Sequence, residues 1–130
     1  MYKVMIVGHG FVGSAIASLF SDEEKIIVDP KFTDNKISDN PGVPFDAVFV
    51  SVDTPKAEGF KLLDSILQEL DYNMVEGTPV CCKSTATPEF YYNVSQKYKN
   101  IKIVHSPEYL NKTNPIKTVS YTHLTLPTKA

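Results

Sequence analysis

Apolar residues recur along this chain in two alternating rhythms. Short continuous runs, from Lys3 to Val7, Lys25 to Val28, Ala47 to Val52, Pro79 to Cys82 and Ile101 to Val104, read as strands. Between them the apolar positions step by three and four. Val12, Ala15, Ile16, Leu19 and Phe20 predict one amphipathic helix ending near Ser21 and Asp22, and Leu62, Leu63, Ile66, Leu67 and Leu70 predict a second. Tyr91, Val94 and Tyr98 supply the buried stripe of a third. Thr87 is its expected N-cap, with Pro88 at the first helical position and Glu89 near the positive end of its dipole. The run from Ala47 to Val52 lacks polar alternation, as a strand covered on both faces must.

Strands alternating with helices predict an α/β fold, a Rossmann-like parallel sheet with helices on both faces. The stretch from Lys31 to Pro44 breaks the rhythm with Asp, Asn, Ser, Gly and Pro, and reads as a loop that is long for a compact domain. Five strands are one fewer than the usual six, so the fold is expected to be incomplete at the C-terminus. The decapeptide from Val119 to Thr128 does not continue the pattern and resembles one translation frame of a sequencing-library adapter. The expected division is therefore 1–118 for a truncated NAD-binding Rossmann-like domain and 119–130 for a non-native tail.

Composition narrows the function classes. With 130 residues, 42% of them hydrophobic, the chain can bury one core but not two. A net charge of -2 gives no single-sign field to attract nucleic acid or an anionic membrane. No apolar run approaches the ~20 residues of a spanning helix, and no leader precedes the first strand, so a cytoplasmic protein is expected. All 13 basic residues are lysines, which leaves no guanidinium to grip phosphate bidentately. Cys81 and Cys82 are adjacent and fit neither a disulfide framework nor metal-ligand spacing, so no metal site is expected.

The candidate chemistry begins at Gly8-His9-Gly10-Phe11-Val12-Gly13, a GxGxxG turn after a strand and at the head of a helix. Gly8 permits the tight turn, Gly10 lets a pyrophosphate approach the backbone, and Gly13 allows close helix packing, with Phe11 and Val12 in the cofactor-binding turn between them. The helix start offers free N–H groups to phosphate. Asp29, at the end of the next strand, is placed to accept hydrogen bonds from the adenosine ribose and to repel a 2′-phosphate, which favours NAD over NADP. His9 reads as a tolerated loop residue without a catalytic role. Three polar clusters follow later strands: Ser51 to Pro55, Lys83 to Thr85 and His105 to Glu108. Ligands of open α/β sheets bind at such strand ends. Thr54 or Thr85 can hold a cofactor amide, a ribose or a water there, and Glu108 can act as a general base.

Taken in order, the glycine turn, Asp29, Val52-Asp53-Thr54-Pro55, Gly59 with Asp64-Ser65, Lys83-Ser84-Thr85 and Ser106-Pro107-Glu108-Tyr109-Leu110 resemble the N-terminal domain of the UDP-glucose/GDP-mannose dehydrogenase family over Met1 to about Leu110. The resemblance implies an NAD-dependent oxidation of the C6 alcohol of a nucleotide sugar to a carboxylate, in two hydride transfers, through a thiohemiacetal and a thioester. UDP-glucose is the first substrate to expect, and the parent enzyme is expected to be a homo-oligomer. On the same resemblance Thr54 and Thr85 contact the cofactor, Thr85 also positions the hydrolytic water, Glu108 assists acid–base chemistry, and Glu108, Tyr109 and Leu110 begin the substrate-binding loop.

The sequence departs from that family where Asp53 replaces the usual proline and where Asn111, Lys112 and Thr113 replace an acid and glycine. The segment between Asp29 and Ala47 is also shorter than usual. The family's nucleophilic cysteine, its partner lysine and asparagine, and its sugar-nucleotide domain are expected downstream, because Cys81 and Cys82 fall in a buried strand and read as small core hydrophobes. Two other readings share the glycine turn. One is a hydroxyacid dehydrogenase of the 6-phosphogluconate type, which needs no thioester; the other is a non-catalytic NAD-binding module, which has no use for Glu108.

Overall fold

A computed structural model of the chain describes residues 1–54 and 60–105. Five strands, β1 (Val4–Val7), β2 (Lys25–Val28), β3 (Ala47–Val50), β4 (Thr78–Cys82) and β5 (Ile101–His105), form one sheet in the order β2-β1-β3-β4-β5. Every pairing is parallel. The connecting helices are α1 (Phe11–Ala17), α2 (Lys61–Asn73) and α3 (Pro88–Lys97), with a single 3-10 turn at Ile37–Asp39. The Rossmann-like α/β architecture predicted from the rhythm is the one observed.

The strand order is the six-strand dinucleotide order 3-2-1-4-5-6 with its third strand left out. Where a strand and helix would stand, the link from β2 to β3 carries only the 3-10 turn, whose Ile37 is buried. The described sheet is therefore short at its β2 edge. The expected incompleteness at the other end falls after His105, outside the described residues, as do Pro55, Gly59, Glu108, Tyr109, Leu110 and the 119–130 tail.

Strand alternation divides the core in two. Val4, Ile6, Ala47 and Phe49 point to one face, where Ala15, Ile16, Ala17 and Phe20 of the α1 segment cover them. Met5, Val7, Val48, Val50, Val80 and Cys82 point to the other, under Leu63, Ile66, Leu67 and Leu70 of α2 and Tyr91, Val94 and Tyr98 of α3. Each fully buried leucine contributes about 1.5–3 kcal/mol, so Leu63, Leu67 and Leu70 hold α2 on the sheet more firmly than helix propensity could. α3 begins as expected: Thr87 Oγ1 accepts the Phe90 N–H at 3.1 Å, with Pro88 at the first position.

Two boundaries differ from the sequence reading, each for a local reason. α1 stops at Ala17 rather than near Ser21, because the Lys25 ammonium donates to the Ala17 and Phe20 carbonyls at 2.8 and 3.0 Å. The Leu19 and Phe20 N–H groups then turn back to Ile16 and Ala17 in a tighter last turn. β3 stops at Val50 rather than Val52, because both backbone groups of Val52 leave the ladder for the Ser84 hydroxyl, which accepts from the N–H and donates to the C=O at 2.9 Å. Among the described residues no helix is long and apolar enough to cross a membrane.

Candidate functional site

β1 and β3 are neighbours, yet α1 leaves the end of β1 across one face while α2, which follows β3, lies on the other. This reversal opens a crevice beyond the carboxyl ends of the strands. A cleft of about 230 Å³ lies there, lined by Gly10, Phe11 and Val12 of the glycine turn, Asp53 and Thr54 after β3, and Lys83, Ser84 and Thr85 after β4. Two of the three polar strand-end clusters thus meet the glycine turn in one place. Of the third, His105 is described and Glu108 is not.

The three glycines differ in surroundings. Gly8 has φ +97°, and a side chain there would strike the Ser51 carbonyl oxygen, 2.5 Å from the Cβ position. At Gly13 a Cβ would overlap the Gly8 carbonyl oxygen and lie 2.8 Å from its carbon. Gly10 has φ -80°, and a Cβ there would meet nothing within 4 Å. Neither the fold nor the backbone conformation requires glycine at that position. The space beside it is continuous with the cleft, next to the Phe11, Val12 and Gly13 N–H groups that precede the first intrahelical bond, Ser14 N–H to Gly10 C=O at 2.9 Å.

Asp29 stands beside the turn rather than in the cleft. Its Oδ2 accepts the His9 N–H at 2.8 Å and its Oδ1 the Lys31 N–H at 2.9 Å. The Lys31 N–H above all, and the His9 N–H after it, hold this carboxyl below its ordinary range against the opposing effect of partial burial. A carboxylate has lone pairs left over for ribose hydroxyls. The acid therefore ties the glycine turn to the end of β2, a structural duty that sequence reasoning missed. Since the folded pKa is depressed, the stabilisation is present above the ordinary carboxylate range and is lost as pH falls through the lowered value. Urea midpoints followed from about pH 6 to about pH 2 should fall less steeply in Asp29→Asn than in the parent. Equal slopes would mean the carboxylate does not hold the turn in solution.

The strand ends are fastened to each other. Thr54 Oγ1 donates to the Thr85 carbonyl at 2.6 Å, so the two predicted cofactor-contacting threonines are in direct contact. Below them Ser84 bridges to Val52, and the Tyr91 hydroxyl donates to the Ser84 carbonyl. The His105 ring stacks on Tyr91, with centroids 3.9 Å apart, and partial burial, with Lys83 nearby, pushes the imidazole pKa down. The sequence reading places Ser84 in a strand-end cluster and Tyr91 in the buried stripe of α3, and what it missed is that the two fasten the strand ends together. Their only signal was a hydroxyl residue directly after a buried strand and an aromatic on the inner stripe of α3.

Cys81 and Cys82 are free thiols in β4. Burial pushes Cys82 up to about 12 and raises Cys81, so neither offers a thiolate near neutrality.

No protein-family model matches the sequence, and neither does any curated protein. Solved structures do match in fold. A Mycobacterium avium protein assigned as an oxidoreductase aligns with TM-score 0.71 and 16% identity over 90% of this chain and 46% of its own. The UDP-N-acetyl-mannosamine dehydrogenase of Staphylococcus aureus aligns with TM-score 0.65 and 16% identity over 88% and 39%. A UDP-D-ManNAc dehydrogenase from Pyrococcus horikoshii aligns with TM-score 0.65 and 14% identity over 88% and 38%. The chain spans less than half the length of each of these proteins. At such identities the likeness is one of fold, and it places this Rossmann-like α/β sheet alongside those of dehydrogenases.

Proposed function

We propose that the chain is the dinucleotide-binding part of an NAD-dependent oxidoreductase acting on a nucleotide sugar. The observation that carries this reading is Gly10, a glycine that neither sterics nor backbone conformation demands, beside an open cleft at the switch point of the sheet. A pyrophosphate approaching the backbone gives a reason for the missing side chain. The residues present fit the rest of such a ligand. Asp29 takes the adenosine ribose, the turn from Gly10 to Val12 takes the pyrophosphate, and Thr54 and Thr85 line the far side of the cleft. When bound, NAD supplies the hydride acceptor.

The motif order and a fold shared with two UDP-N-acetylmannosamine dehydrogenases support a nucleotide sugar as substrate. UDP-glucose is the first sugar nucleotide to test and UDP-N-acetylmannosamine the second. In this reading Glu108 serves acid–base chemistry and Tyr109 and Leu110 contact the sugar nucleotide. The thioester route finds no nucleophile in this chain, because its only cysteines are the two raised thiols of β4.

Titration calorimetry tests the reading directly. The chain should bind NAD and ADP-ribose saturably, and NADP more weakly because of the Asp29 charge. It should produce no NADH when given NAD and UDP-glucose. Failure to bind either NAD or ADP-ribose would sink the assignment.

A further inference from the structure

Phe32 is 62% exposed, three residues beyond the acid that ends β2. The turn that carries it is nonetheless firmly built. The Phe32 and Thr33 N–H groups both donate to the Asp29 carbonyl at 2.9 Å. Thr33 Oγ1 and Asn35 Nδ2 both donate to the Ile27 carbonyl, at 2.9 and 3.1 Å, closing part of the open β2 edge. The Phe32 ring meets the His9 imidazole at an interplanar angle of 77°, with centroids 4.6 Å apart. The His9 N–H is in turn the one held by Asp29 Oδ2. An exposed aromatic ring, an imidazole from the glycine turn and the ribose-side acid thus form one braced unit.

We propose that Phe32, braced by His9, is the surface on which the adenine ring of the dinucleotide stacks. The inference rests on the NAD-binding reading and adds a base-recognising residue to it. With Asp29 holding the ribose, the attached base falls on the side of the Asp29 turn, where Phe32 presents an exposed aromatic ring. Among the described residues no strand pairs with the outer edge of β2, so this loop is the described element that can wall the base on that side. A base stacks on an aromatic side chain through its π face, which suits an apolar ring that otherwise stands in water. His9 sets the angle of the ring.

The chain contains no tryptophan, so Phe32→Trp creates a single fluorescent reporter at the proposed contact. Its emission should be quenched by AMP and by NAD and left unmoved by nicotinamide mononucleotide, which has no adenine. In calorimetry Phe32→Ala should weaken AMP and NAD binding by about tenfold, the order expected for one lost stacking contact, and Phe32→Tyr should keep the parent affinity. Because the ring is exposed, circular dichroism of the three variants should match the parent. If the parent binds AMP and NAD but Phe32→Ala binds them equally well, or nicotinamide mononucleotide quenches as strongly as AMP, the stacking role is overturned while the NAD reading stands. If the parent binds none of these nucleotides, both fall together.

Discussion

Gly13→Ala should cost the chain on the order of 3 kcal/mol or more of stability, against about 5–15 kcal/mol for a typical domain. The added methyl would overlap the Gly8 carbonyl oxygen, with the Gly8 carbonyl carbon at 2.8 Å and Ser51 Oγ at 2.9 Å. The two nearest of those three neighbours are backbone, so a swing of the Ser51 hydroxyl would not relieve the clash. Gly8 cannot retreat either, because its N–H is held by the Val28 carbonyl at 2.9 Å and its own Cβ direction faces the Ser51 carbonyl. Relief requires α1 to lift from β1, which uncovers Ala15 and Ile16 over Ile6 and Phe49. The expected result is a large fall in the urea midpoint and weakened far-ultraviolet dichroism. A Gly13→Ala chain with the parent midpoint would show that α1 stands farther from the turn than the structure places it.

Much of this fold was legible because the determining interactions are local in sequence. Apolar runs bounded by turn residues located all five strands, and the stripe of Leu63, Ile66, Leu67 and Leu70 located α2. What escaped depended on contacts that sequence spacing does not carry. The end of α1 is set by a lysine eight residues further on, and the end of β3 by a serine more than thirty residues away. The strand missing beside β2 was visible only as a short Asp29–Ala47 segment, and its meaning emerged once β3 was found paired with β1.

The site divides in the same way. A GxGxxG turn followed by an acid encodes a local backbone geometry, so the positions of Gly8, Gly10, Gly13 and Asp29 could be anticipated. The meeting of Thr54 with Thr85 depended on β3 and β4 being adjacent, which alternation suggests but does not require. Ser84 looked like one more strand-end hydroxyl and is instead buried between two chain segments. Asp29 looked like a ligand for ribose alone, because which backbone N–H groups donate to a carboxylate cannot be read from residue types. Asp53, the departure from the expected proline, lies in the lining of the cleft itself.

Gly10→Val should separate binding from folding where Gly13→Ala cannot. The Gly10 Cβ position is open and its φ of -80° suits any residue, so the chain should stay folded, with a cost of about 1 kcal/mol or less for a poorer N-cap. The valine methyls would instead occupy the cleft beside the Phe11 and Val12 N–H groups. A pyrophosphate displaced from two charge-assisted hydrogen bonds loses about 1.5–3 kcal/mol at each, which corresponds to roughly a hundredfold or more in affinity. Calorimetry should therefore show NAD binding nearly abolished while the urea midpoint stays close to the parent's, and Gly10→Ala should fall between. The two measurements need each other, since weaker binding in a destabilised chain would say nothing about the cleft. Parent-like affinity in a well-folded Gly10→Val chain would mean that no phosphate approaches the turn at Gly10, removing the observation on which the dinucleotide assignment rests.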